Sequence, residues 1–259
     1  MDSTTARQDC QKSVALGASL DIDDVTTGYT SLKVVRRAKL SVRVGEVVLL
    51  TGHNGAGKSC LVESIFGLVR LHAGRVTWSG EDISGKRPRD LLKRGVVLVP
   101  QGGGIIRNLT VWENLKLSAP ALIQNYEKGN AGAGDELGFE ILHRFPIVVE
   151  RRDQIAGSLS GGQQRIMSIV RALLRNPRLL IIDEPFLGLS GLSSDVVLDL
   201  IDHVRNTSSN LGVLVVEQQI FRLTGRLDRY YVMRQGQIER HGDASELWGL
   251  APEELWSLS

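Results

Sequence analysis

The stretch EVVLLTGHNGAGKSCLVES, residues 46–64, constrains the chain more than any other. A short apolar run leads into Gly-x-x-x-x-Gly-Lys-Ser, and a segment with helical spacing follows. Strand, glycine-rich loop and helix in that order form the context in which this spacing binds phosphate. The glycines let backbone N–H groups converge on phosphate oxygens, and the helix N-terminus adds positive potential. The loop runs through Gly52, His53, Asn54, Gly55, Ala56 and Gly57 to Lys58 and Ser59. Lys58 is expected to reach the β and γ phosphates, and the Ser59 hydroxyl to ligate Mg²⁺. His53 stands at a variable position of the motif, so it is read as part of the loop backbone and not as an acid or base.

The rest of the chain supplies a fold around that loop. Further apolar runs, VVLVP (96–100), LLIID (179–183) and GVLVVE (212–217), read as buried strands. Alternating with amphipathic segments, they indicate an α/β fold with a mostly parallel sheet. LDIDDV and AKLSVRV alternate apolar and polar residues and suggest an antiparallel β edge. Between 105 and 175, VWENLKL, DELGFEILHRF and QQRIMSIVRALLR carry helical spacing. Ile166, Ile169, Val170, Leu173 and Leu174 fall on one stripe. These helices read as an inserted subdomain, with 124–134 as an exposed loop. RYYVMRQGQIER reads as a hairpin turning at Gln235-Gly236, with short closing helices in ASELWGL and PEELWSL.

Composition limits the functions available. A chain of 259 residues with 42% hydrophobic and 23% charged residues can bury a full core. Its net charge of +2 asks for no nucleic-acid partner. No apolar run approaches the roughly 18 residues of a membrane span, and residues 1–18 show no signal-peptide core and read as a flexible tail. Two cysteines, Cys10 and Cys60, read as reduced thiols in a cytoplasmic setting.

A second set of residues completes a phosphate-handling site. LLIIDEP ends a strand in Asp183-Glu184, delivering two carboxylates to the sheet edge where ligands of open α/β folds bind. Asp183 suits a metal site and Glu184 the activation of water. LSGGQ (159–163) precedes an amphipathic helix, with Ser160 as its N-cap and Gly161 and Gly162 exposing N–H groups as a second anion site. In this order the motifs resemble those of the ATP-binding-cassette (ABC) ATPases.

The resemblance covers residues 19–259 and implies the P-loop NTPase ABC-ATPase fold as one domain. Its nucleotide-binding core would be 19–101 and 176–259, and its helical subdomain 102–175. It implies ATP and Mg²⁺ as cofactors. Tyr29 would stack on adenine, Gln101 would touch Mg²⁺ and the attacking water, and Gln218 would be a switch. Ser160, Gly161, Gly162 and Gln163 would contact the ATP held by a second cassette in a head-to-tail dimer. VWENL, RALLRNPRLLIIDEPFLGLS and VLVVEQ resemble the ATPases of branched-chain amino-acid, urea and short-amide importers. That implies membrane permease subunits as partners, an external substrate-binding protein acting through them, and a place on the inner face of the cell membrane. Two other readings stay open: a soluble ABC ATPase outside transport, and a catalytically weak regulatory cassette in a heterodimer.

Three departures bear on activity. Cys60 replaces the usual Thr or Ser, which puts about 0.5–1.5 kcal/mol of hydrogen bonding to the α-phosphate at stake. At a helix N-terminus beside Lys58, its thiol is expected to have a lowered pKa and to be reactive. Ser190-Gly191 replaces the family's Asp-Pro at the dimer interface. Gly102-Gly103-Gly104 after Gln101 is expected to leave the transporter contact flexible or altered. Arg165, Arg171 and Arg175 read as a solvated helix face or dimer rim, and Trp78, Trp248 and Trp256 as packing residues.

Overall fold

The computed structural model describes residues 19–130, 135–189, 191–207 and 210–247. Cys10, Ser190, Trp248, Trp256 and the closing helices beyond Leu247 lie outside the described residues.

Two sheets organise the chain. The first is antiparallel, in the order β2-β1-β4-β5, with β1 Ser19–Thr27, β2 Val35–Arg43, β4 Leu71–Trp78 and β5 Glu81–Asp82. β1 and β2 are the two alternating stretches of the sequence. β4, LHAGRVTW, shows no clean alternation and was not foreseen; it bends at Gly74, where a Cβ would stand 2.4 Å from the Asp24 carbonyl oxygen. Trp78 is buried at its end and donates its indole N–H to the Arg94 carbonyl at 3.2 Å, which bears out its packing role.

The second sheet has the order β10-β9-β3-β8-β7-β6. Its strands are β3 Val47–Thr51, β6 Val96–Val99, β7 Leu179–Asp183, β8 Gly212–Val216, β9 Arg229–Arg234 and β10 Gln237–Asp243. All pair in parallel except the edge strand β10, which returns from β9 through Gln235 and Gly236, both left-handed (φ 46° and 82°). Two consecutive left-handed residues match the twist of a two-residue hairpin.

The period of two in these strands builds two cores. Val47, Leu49, Val97, Val99, Leu180, Ile182, Val213 and Val215 face one side, against the helices. Val48, Leu50, Val96, Leu179, Ile181, Leu214 and Val216 face the other, against the antiparallel sheet and the first helix, α1 Lys58–Ile65. Each such side chain taken from water contributes about 1.5–3 kcal/mol, and burial on both faces explains the unbroken apolar runs.

After α2 Pro88–Leu92 and β6, the chain makes α3 Val111–Ser118, α4 Pro120–Glu127, α5 Glu136–Arg144, α6 Ile147–Glu150 and α7 Gly161–Leu173 before returning to the sheet. Thr110 and Glu113 form a reciprocal cap on α3, and Ser160 and Gln163 form one on α7. The predicted α7 stripe is buried throughout. The expected loop 124–134 needs correction: residues 124–127 belong to α4, because Tyr126 packs on Trp112 and Phe139 at ring distances of 5.8 and 5.1 Å. α8 Gly191–Thr207 then leads to β8. Among the described residues no helix is long and apolar enough to cross a membrane.

Candidate functional site

The phosphate loop joins β3 to α1 at the edge where β7 and β8 also end. Two glycines there have no substitute. A Cβ on Gly52 would lie 2.1 Å from the Met233 carbonyl oxygen, and Gly57, the N-cap of α1, is left-handed at φ 105°. No side chain caps α1, so its first N–H groups face the loop cavity open to an anion. Lys58 is buried, and its ammonium donates to the carbonyls of Gly52 at 2.6 Å and His53 at 3.1 Å. Burial lowers its pKa, against the pull of Glu184, Asp183 and Glu217.

The carboxylates sit across from the lysine. Asp183, the last residue of β7, is 2% exposed, and its Oδ1 has no hydrogen-bond partner. Burial pushes its pKa up to about 6, while a hydrogen bond from Ser59 acts in the opposite direction. Glu184 is left-handed at φ 50°, and its N–H donates to the Val216 carbonyl at 2.8 Å. Its carboxylate accepts from the Gln101 amide at 2.8 Å. On the neighbouring strand, Gln218 donates its amide to Asn54 Oδ1 of the loop at 2.6 Å. Buried Glu217 accepts the N–H groups of Gln218 and Gln219 at 2.7 and 2.9 Å and so shapes the turn that presents Gln218.

The structure thus joins Asn54, Lys58, Ser59, Gln101, Asp183, Glu184 and Gln218 around one edge. Tyr29 lies near α1: its ring is half exposed, and its hydroxyl donates to Glu63 at 2.9 Å. Partial burial, then Glu63, pushes its pKa up to about 12. Ser160 and Gln163 bond each other at the exposed start of α7.

Two expectations are corrected, at Cys60 and at Arg165. Cys60 is 4% exposed and packs from α1 into the core, so burial raises its thiol pKa, with Glu63 adding to the effect and a Thr27 hydrogen bond opposing it. Desolvation outweighs the helix terminus, and the activated thiolate is overturned. The three glycines after Gln101, expected to leave the transporter contact flexible or altered, form a turn left-handed at φ 81°, 83° and 60°, with Arg171 donating to the Gly104 carbonyl at 2.7 Å. Of the three arginines, Arg165 leaves the solvated face, whereas Arg175 is exposed on it. Arg165 is 6% exposed and bonds main-chain carbonyls near Glu184, while Arg171 and Arg175 bond the carbonyls of Gly104 and Ser118.

Arg165 and Glu217 escaped the sequence reading. Arg165 stands four and eight residues before Ile169 and Leu173, on the apolar stripe itself, and that position was the available signal. Glu217 carried none, since a carboxylate ending a strand is ordinary.

The donor set suits Mg²⁺. A buried carboxylate oxygen lacking a partner stands beside a serine hydroxyl, at the mouth of a loop built for phosphate.

Known proteins resemble this chain in sequence and in fold. The sequence profile of the family described as ABC transporter matches residues 35–187. The high-affinity branched-chain amino acid transport ATP-binding protein BraG of Pseudomonas aeruginosa is 32% identical over 231 residues, 88% of this chain and 94% of that protein. The lipopolysaccharide export system ATP-binding protein LptB of Escherichia coli K12 is 33% identical over 230 residues, 89% of this chain and 92% of that protein. The solved ADP conformation of an ATP-binding cassette of an ABC transporter superposes with a TM-score of 0.72 at 29% identity, covering 93% of this chain and 95% of its own. With its phosphate loop, paired carboxylates and capped LSGGQ helix in place, this chain belongs to the ABC transporter family as an ATP-binding subunit.

Proposed function

We propose that this chain hydrolyses ATP at the loop of residues 52–60 and that two cassettes act together to drive a membrane permease. The observation that carries this is the Gln101–Glu184 contact of 2.8 Å opposite the buried Lys58 and Asp183. Lys58 leaves the loop carbonyls for the β and γ phosphates, and the free N–H groups of α1 hold the oxygens. Ser59 and Asp183 would hold Mg²⁺, with Gln101 at its edge; bound there, the ion neutralises phosphate charge. Glu184 accepts the proton of the attacking water, and Gln101 fixes the carboxylate that does so. Gln218, tied to Asn54, reports on the loop, and Tyr29 offers a ring for adenine to stack on. Gly55 and Ala56 serve through backbone alone.

Ser160, Gly161, Gly162 and Gln163 complete the other cassette's site, a reading supported by the exposure of Ser160 and Gly161 at the start of α7. The helical subdomain, 102–175, faces the permease. A cleft of about 210 Å³ lined by Phe66, Leu92, Val99, Gly103, Ser168 and Arg171 lies beside the Gln101 turn and suits a docking segment.

Import of branched-chain amino acids, urea or short amides is the reading favoured by VEQ at 216–218 and the BraG likeness. The equal likeness to LptB supports export as the second reading. The test is Mg-ATP turnover by the purified chain beside Glu184→Gln, with dimerisation followed by light scattering. Wild type is expected to turn over, and the variant to lose activity by at least about 100-fold while holding an ATP-bound dimer. Binding of ATP by the wild type with neither turnover nor dimer would overturn the reading.

A further inference from the structure

Arg165 reaches from α7 to the segment that follows β7. Its Nε donates to the Pro185 carbonyl at 3.2 Å and its Nη1 to the Pro100 carbonyl at 3.0 Å. Its Nη2 donates to the carbonyls of both Asp183 and Glu184. A cation this buried is costly unless its donors are met and opposite charge is close. Asp183, Glu217 and Glu184 supply that charge, and main-chain oxygens meet the donors.

The main chain it grips is strained. Glu184 is left-handed at φ 50°, which costs a non-glycine residue about 1–3 kcal/mol and persists only where the surroundings fix it. The Glu184 N–H bond to Val216 at 2.8 Å is one restraint, the Leu187 N–H bond to the Glu184 carbonyl at 3.3 Å another, and Arg165 a third. Pro100 precedes Gln101, whose amide holds the Glu184 carboxylate. One guanidinium therefore grips the backbone on both sides of the Gln101–Glu184 contact.

We propose that Arg165 is a positioning residue for hydrolysis, holding the main chain at Pro100 and Asp183–Pro185 so that Gln101 and Glu184 face one water. This rests on the reading of Glu184 as the base. A base displaced by about an ångström loses on the order of 100-fold in rate without loss of binding.

The test compares wild type, Arg165→Gln and Arg165→Lys in the full chain. Arg165→Gln is expected to lower kcat about 10–100-fold with KM and ATP affinity within about threefold, and Arg165→Lys, which keeps the charge, to recover part of it. Combined with Glu184→Gln, Arg165→Gln is expected to cost nothing further, because both act through one group. Independently of turnover, the amides of Glu184 and Leu187 should exchange hydrogen at least about tenfold faster in Arg165→Gln, with β3 unchanged. If Arg165→Gln fails to fold, Arg165→Lys is judged by the same criteria. Unchanged exchange at Glu184 and Leu187 overturns the proposal, as does faster exchange with unchanged kcat. A wild type that binds ATP without turning it over sinks the function above, and the exchange measurement then decides Arg165 alone.

Discussion

Asp183 and Cys60 show how burial decides chemistry at single residues. In protein kept metal-free with a chelator, Asp183 is a buried carboxylate whose folded-state pKa, about 6, lies above its ordinary 3.8. The folded state then binds the proton more tightly than the unfolded chain does. Stability therefore falls as pH rises from 3.8 to about 6, and the full penalty remains above that. Asp183→Asn is expected to be more stable than wild type at pH 7.5, by about 1–3 kcal/mol, and to converge with it near pH 4. In the same variant, adding Mg²⁺ to ATP is expected to give no extra rise in melting temperature. Thermal melts across pH, with and without Mg-ATP, check both statements. Cys60 follows from its packing: in a Cys10→Ser background it is expected to label with iodoacetamide at least about tenfold more slowly in folded protein than in denaturant. Equal rates would put the thiol at the surface, against its place in the core.

At the scale of elements, the turn after β6 and the middle of α7 lock together. Gly103 packs so closely that an added Cβ would stand 2.2 Å from Ser168 Oγ, whereas one on Gly102 would meet open space. Both residues are left-handed, so both substitutions to alanine carry backbone strain. Gly103→Ala carries the clash as well and is expected to cost about 1–3 kcal/mol, more than Gly102→Ala. Denaturant midpoints of the two variants separate them, and equal values would mean that Ser168 moves aside freely. Strands and helices with a clear period were legible in the sequence: β3, β6, β7, β8, the β9–β10 hairpin and α7 all lie where the pattern puts them. β4 and α4 were not. Gly74 interrupts the first, and the polar QNYE that closes the second is held helical by Tyr126 against Trp112 and Phe139, which no local pattern reports.

Across the whole molecule, the strand order carries the site. β3, β8 and β7 are neighbours, so the loop after β3, the turn after β8 and the carboxylates after β7 open on one edge. That order brings Asn54 against Gln218, 164 residues away, and Gln101 against Glu184, 83 residues away. The sequence by itself determined the phosphate loop, the apolar strands, the paired carboxylates and the Ser160 cap. Each of these is written within a few consecutive residues, where backbone geometry and a local period suffice. Only the tertiary structure decided that Arg165 is buried against the Glu184 main chain, that Glu217 shapes the Gln218 turn and that Cys60 is shielded. Burial and long-range hydrogen bonds depend on what packs from elsewhere, and desolvation by a distant element can outweigh whatever the neighbouring residues favour.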